Sequence, residues 1–154
     1  MDKLDHWAAL GRRIRTMGPP QVPGPEVVVR IAEICNGCKG LTVLLGVTPA
    51  YAGLGDDLLA FDGSEGMIAA IWPGDSDRRT AALADWTALP VADGVADQVL
   101  GDGSLNAVPD RAVLRAVLSE VRRVLKPEGR AAIRVFARPD RPETVAEVLA
   151  AGRA

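Results

Sequence analysis

Three aspartates carry the most specific chemistry in this chain. Asp62 ends the apolar run DLLAFD, Asp85 follows the small-residue run TAALA, and Asp102 follows ADQVL within Gly-Asp-Gly-Ser. A carboxylate at the end of an apolar run sits at the rim of a core. There it is an acceptor that suits hydroxyl and amino donors. If the runs are parallel strands, all three carboxylates lie on the edge where open α/β sheets bind ligands. Cys35-Asn36-Gly37-Cys38 is the other conspicuous spacing. A structural zinc site needs a second such pair, and a redox CxxC opens a helix, whereas this one closes a helical pattern. Two reduced thiols and no metal are expected. His6, the single histidine, is expected at the surface beside Trp7.

The elements that would position the aspartates follow from periodicity. Residues 2–16 have helical spacing through Leu4, Trp7, Ala8, Leu10 and Ile14. Met17–Pro25 holds four prolines and two glycines in nine residues, so it is neither helix nor central strand. Glu26–Cys35 is helical and stops at Asn36-Gly37. Leu41–Gly46 and Asp57–Asp62 are short continuous apolar runs, the pattern of strands buried on both faces. Ser64–Ile71 reads as a helix with Ser64 as N-cap. Thr80–Ala84 and Ala96–Leu100 are further strands. Asp110 caps an amphipathic helix over 111–125, with Leu114, Val117, Leu118, Val121 and Leu125 on one face. Lys-Pro-Glu-Gly then turns the chain into a fifth strand, Arg130–Phe136. A last helix is expected over 142–151, with Pro142 in its first turn. Strands alternating with helices imply right-handed crossovers and a doubly wound, mostly parallel α/β sheet, order 3-2-1-4-5.

Bulk properties suit one compact domain. The chain has 154 residues, 48% hydrophobic and 25% charged, enough for a core without disulfides. Its net charge of −2 gives no indication of nucleic acid. From Leu41 to Asp110, eleven acidic residues face only Arg78 and Arg79, and from Arg111 onward ten basic residues face five acidic ones. A site in the acidic middle suits a cationic or hydroxyl-rich ligand better than a polyphosphate. No apolar run is long enough for a bilayer, and MDKLDHWAAL has no signal-peptide core. A cytoplasmic protein without a membrane partner is expected.

The ordered segments VLLGVTPAY, LLAFDGSEGMI, ADWTALPVADGVADQVLGDGSL and EVRRVLKPEGRAAIRVF resemble the class I S-adenosylmethionine-dependent methyltransferases over roughly residues 41–136. Arg122–Gly129 with its following strand, and Asp85 to Asp97, are the most specific parts. The resemblance implies a Rossmann-like fold and S-adenosylmethionine as cofactor. It gives the first loop, Gly46, Val47, Thr48 and Pro49, to the cofactor's methionine part. That loop departs from the family's acid-x-Gly-x-Gly-x-Gly pattern. Leu44 stands where the family has an acid, and Thr48 and Ala50 stand where it has glycines. Backbone N–H groups at a helix start could still bind a carboxylate there.

By the same resemblance Asp62 takes the ribose hydroxyls, with Gly63 allowing close approach. Met67 packs on the adenine or simply in the core. Asp85 accepts from the adenine amino group, and Trp86 flanks the ring. Asp102 and Gly103, followed by Ser104, adjoin the transferable methyl. Asp102 is the candidate catalytic residue, orienting or deprotonating an acceptor.

The expectation is a methyltransferase acting on a small molecule. The alternative is a non-catalytic cofactor-binding or regulatory module. A nicotinamide-dinucleotide domain fits poorly, because Leu41–Tyr51 lacks that fold's glycine fingerprint. Residues 1–40 are expected as a helical lid and 41–154 as the binding domain. The family continues past the fifth strand with a helix and an antiparallel strand pair. A chain ending at Ala154 therefore leaves strand 130–136 with an exposed edge, through which a homodimer could form.

Overall fold

Short β-rich apolar runs separated by Gly, Pro and Asp build a sheet whose strands are buried on both faces. The computed structural model describes residues 13, 14, 16–138 and 140–151. Its strands are β1 (Leu41–Leu45), β2 (Asp57–Asp62), β3 (Arg79–Leu83), β4 (Ala96–Asp102) and β5 (Leu125–Arg134). They form a five-stranded sheet in the order β3-β2-β1-β4-β5, with every neighbouring pair parallel. The expected order is the one observed.

The helices are α1 (Pro25–Ile34), α2 (Glu65–Ile71), α3 (Arg111–Val124) and α4 (Val145–Ala151), with short 3-10 turns at Pro49–Tyr51 and Ser104–Ala107. Their ends follow from local chemistry. Pro25 occupies the first turn of α1. That helix stops where Asn36 and Gly37 take positive φ and the Gly37 N–H donates to the Ala32 carbonyl at 2.7 Å. The Ser64 hydroxyl accepts from Met67 N, and the Asp110 carboxylate accepts from Ala112 N and Val113 N. The last helix begins later than expected. Thr144 and Glu147 form a reciprocal capping box, with Glu147 N donating to Thr144 Oγ1 and Thr144 N donating to Glu147 Oε2. Pro142 therefore precedes the helix. Of the helix expected over 2–16 only residues 13, 14 and 16 are described; Arg13 and Ile14 are helical, and Thr16 is already in a turn. His6 also lies outside them.

The two faces of the sheet carry separate cores. Ile31 of α1 and Ile71 of α2 pack with Leu44, Leu58, Ala60, Leu100 and Ala132. Val117, Val121 and Val124 of α3 pack with Val43, Leu45, Phe61 and Val99 on the opposite face. The period of two along β1 sends Leu44 to one core and its neighbours to the other. Cys35 and Cys38 are buried free thiols in the first core, and burial pushes Cys38 up to about 11. Among the described residues no helix is long and apolar enough to cross a membrane.

Two connections differ from the expected ones. A single short 3-10 turn, Pro49–Tyr51, stands between β1 and β2 in place of a helix. The fifth strand starts at Leu125, not Arg130, because the Lys-Pro-Glu-Gly turn is a bulge inside it. Ala96 pairs with Leu125 and Gln98 with Arg130, which leaves Lys126–Gly129 opposite Asp97. Gly129 is needed there, since a Cβ would lie 3.0 Å from the Ala96 carbonyl oxygen. Asp97 accepts from Lys126 Nζ at 2.7 Å and from Leu41 N at 2.9 Å, so the bulge is tied to the start of β1.

Candidate functional site

Strand order reverses between β1 and β4, and the chain therefore diverges above them on opposite sides. A crevice opens at that switch point. Here it is a cavity of about 930 Å³ across the carboxyl ends of the strands. Gly46, Val47, Thr48, Pro49, Asp62, Gly63, Met67, Asp85, Trp86, Asp102 and Gly103 all line it. Every residue singled out from the sequence as a binding candidate is thus on one wall or another of a single cavity.

The first loop leaves β1 through Gly46, whose φ of +100° strongly disfavours a side chain. Gly46 N donates to the Phe61 carbonyl at 2.7 Å. The same carbonyl accepts from Trp86 Nε1 at 2.7 Å. One oxygen at the end of β2 therefore fixes both the first loop and the indole. Beyond Gly46 the loop is closed on itself. Tyr51 N donates to the Thr48 carbonyl and Ala52 N to the Pro49 carbonyl. These are the bonds of the 3-10 turn itself, whose first residue, Pro49, has no N–H to offer a carboxylate. Thr48 has an ordinary φ of −59°, and its hydroxyl has no protein partner among the described residues. Ala50 is exposed and is not part of the cavity lining.

Asp62 is half-buried. Its Oδ1 accepts from Ser64 N at 2.8 Å, and Oδ2 lies across from Gly46. Burial raises its carboxyl to about 6, with the Ser64 amide acting in the opposite direction. Asp85 is exposed. Its Oδ1 accepts from both the backbone N and the hydroxyl of Thr87 at 2.8 Å, which holds the carboxyl below its usual range. Met67 is half-buried against the first core and also lines the cavity.

Asp102 ends β4 itself instead of following the strand. Its carboxylate forms an ion pair with Arg134 Nε, inside the protein, with the Asp102 side chain 8% exposed. A carboxylate so engaged is held in place as an anchor. Ser104 Oγ is buried without a hydrogen-bond partner among the described residues, in a side chain that lines the cavity.

Sequence reading missed several lining residues. Phe136 lines the cavity, and Arg134 backs it through Asp102, because β5 lies beside β4 with Asp102 opposite Arg134. Asn106 clamps the Phe136 backbone, donating to its carbonyl and accepting from its N–H, each at 2.9 Å. Ile14, Met17, Gln21 and Val22 close the cavity from the amino-terminal side. They belong to the amino-terminal segment expected as a lid, although none of them was singled out individually as lining.

Residues 45–133 match the family model described as a methyltransferase domain. A putative S-adenosyl-L-methionine-dependent methyltransferase from Methanococcus maripaludis is similar in structure, with a TM-score of 0.68 and 22% identity, over 86% of this chain and 64% of that one. The structure titled a DhpI-SAH complex gives a TM-score of 0.64 at 22% identity, over 85% of this chain and 66% of that one. A putative methyltransferase from Haloferax volcanii, solved with the Trm112 methyltransferase activator, gives 0.59 at 22% identity, over 88% and 61%. The chain thus spans roughly two thirds or less of the length of these structures. No curated protein sequence matched the chain.

Proposed function

The chain belongs to the methyltransferase-domain family, whose cofactor is S-adenosylmethionine, and from that premise we propose that it is an S-adenosylmethionine-dependent methyltransferase acting on a small molecule. The observation carrying this reading is the single cavity that joins Asp62, Asp85 and Asp102 at the switch point of the sheet.

The lining fits the cofactor's nucleoside well. Asp62 has an oxygen without a partner among the described residues, beside a residue that has no side chain, which suits a ribose hydroxyl. Trp86, held by the Phe61 carbonyl, offers a fixed aromatic surface for the adenine. Asp85 keeps one oxygen for the adenine amino group. Fit is poorer at the methionine end, where the closed first loop presents Thr48 and Pro49. The bound cofactor would supply a methyl group on a sulfonium, already activated for transfer. The protein's part is to hold an acceptor in line with it, which needs little acid–base machinery. Asp102, fixed by Arg134, is the residue proposed to orient or deprotonate the acceptor. Met17, Val22 and Phe136 make that side of the cavity apolar.

The closed first loop also favours a second reading, a cofactor-binding or regulatory module without turnover. Calorimetry with S-adenosylmethionine, S-adenosylhomocysteine and NAD separates these readings from a dinucleotide domain. Binding of the first two alone is expected. Methylation of any small acceptor then separates enzyme from module. Binding of NAD alone would refute both.

The first loop gives a sharper expectation. Thr48→Gly should weaken S-adenosylhomocysteine binding by ~0.5–1.5 kcal/mol, the worth of one hydrogen bond from its free hydroxyl. Ala50→Gly should leave the affinity unchanged, since Ala50 is exposed and does not line the cavity. Tighter binding by Thr48→Gly would mean that the side chain obstructs the cofactor.

We place residues 1–40 as an amino-terminal lid segment and 41–154 as the binding domain, in a cytoplasmic protein. The free edge of β5 is proposed as a homodimer contact. Sedimentation at micromolar concentration tests that contact, and a monomer would exclude it.

A further inference from the structure

Arg134 makes more contacts across the chain than any role assigned so far requires. It is the last residue of β5, and its side chain is 17% exposed. Nε pairs with the Asp102 carboxylate at the end of β4. Nη1 donates to the Pro20 carbonyl at 2.7 Å, and Nη2 reaches the Gln21 carbonyl at 3.5 Å. The guanidinium carbon stands 4.9 Å from the centroid of the Phe136 ring. One planar group therefore joins the end of β4, the end of β5 and the proline-rich segment that carries Met17, Gln21 and Val22 into the cavity.

The geometry fits arginine alone. A guanidinium presents donors in a fixed fork, so binding Asp102 on one edge aims the others at a set direction. Here that direction is the backbone of residues 20 and 21. Carbonyl groups in an amino-terminal segment outside any helix or strand have few other partners. Gln21 N and Val22 N both donate to the Gly18 carbonyl, which makes the segment a compact turn that one contact can hold. Phe136 covers the outer face of the guanidinium, and Asn106 fixes the Phe136 backbone in turn.

We infer that Arg134 is a positioning residue that latches the 17–22 turn over the cavity and makes it a wall of the binding site. The inference that this wall serves ligand binding rests on the cofactor reading above, whereas the latch itself does not. Asp102 acquires a second task, that of aiming the latch. Entry of a ligand then requires the turn to lift, and the Arg134 contacts to Pro20 and Gln21 are the ones that break.

Amide hydrogen exchange on the unliganded full chain tests the latch directly. In Arg134→Gln, exchange at Gln21 and Val22 should rise by about tenfold or more, with β1 and β4 amides unchanged, because a local opening exposes only its own unit. Arg134→Lys keeps the charge beside Asp102 but loses the fork. It should give a smaller rise at the same amides, and it carries the test if the glutamine variant does not fold. Unchanged exchange at residues 17–22 overturns the latch. An equal rise throughout β1 and β4 overturns it too, since Arg134 would then be a general structural contact. S-adenosylhomocysteine should slow exchange at Gln21 and Val22 in the wild type and slow it less in Arg134→Lys. Binding by calorimetry without such slowing would remove the turn from the site and leave the cofactor reading standing. Failure to bind at all would remove the cofactor reading and leave the latch to the unliganded measurements.

Discussion

Asp62→Asn is expected to stabilise the protein above pH 6 and at the same time to weaken S-adenosylhomocysteine binding by ten-fold or more. Both effects come from one half-buried carboxylate. Burial lifts its folded-state value to about 6, above the ordinary 3.8. The folded protein therefore holds this proton more tightly than the unfolded chain. Stability from this group is fully present below about pH 4 and is lost as pH rises through 6. At pH 8 the ionised Asp62 costs the fold on the order of 1–3 kcal/mol. Asparagine carries no such charge, and its carbonyl can keep the bond from Ser64 N. Denaturant titrations at pH 4 and pH 8 should show the variant's advantage at pH 8 only. Binding runs the other way. A charged acceptor for a ribose hydroxyl is worth ~1.5–3 kcal/mol, about a ten- to hundred-fold change in affinity. Wild-type affinity should also fall as pH drops through 6. An unchanged affinity in folded Asp62→Asn would remove Asp62 from the site.

Leu44→Asp is expected to destabilise the chain severely, although it restores the residue type that the resembling family has at this place. Leu44 is 0% exposed and belongs to the core shared with Ile31, Tyr51, Leu58 and Leu100. Its neighbour Leu45 lines the cavity, whereas Leu44 does not. Leu44→Ala alone should cost ~2–5 kcal/mol through lost burial and the cavity left behind. A carboxylate adds the penalty of a buried, unpaired polar group, ~2–7 kcal/mol even when protonated. Together these approach the whole stability of a domain of this size. Tyr51 shares the core, and burial holds its hydroxyl up to about 12 with no partner among the described residues. Thermal melts should rank wild type above Leu44→Ala above Leu44→Asp. A Leu44→Asp protein as stable as Leu44→Ala that binds S-adenosylhomocysteine more tightly would show that position 44 faces the cofactor.

The sequence by itself determined the parallel α/β sheet and its edge of aspartates. These follow from local signals. Continuous apolar runs such as DLLAFD mark doubly buried strands, and Ser64 and Asp110 mark helix starts through their own side-chain bonds to nearby amides. Each signal lies within a few residues of what it specifies. The handedness of crossovers then limits the strand order. For the same reason the binding candidates, lying at strand ends, were legible before their cavity was.

Tertiary structure alone decided how those residues are engaged. Nothing local says that Asp102 is paired, because Arg134 lies 32 positions away and meets it only when β5 pairs with β4. The value of about 6 at Asp62 depends on the desolvation that surrounding elements impose. The anchoring of the first loop depends on Phe61, whose carbonyl holds Gly46 and Trp86 from another strand. The Lys-Pro-Glu-Gly turn, read as a connection, became a bulge because Asp97 binds Lys126 across the sheet. Residues 20 and 21 meet Arg134 across more than a hundred positions. Sequence periodicity records which face of an element is apolar. It carries no information about which distant donor will reach a given carboxylate, and at this site that choice sets charge, access and shape.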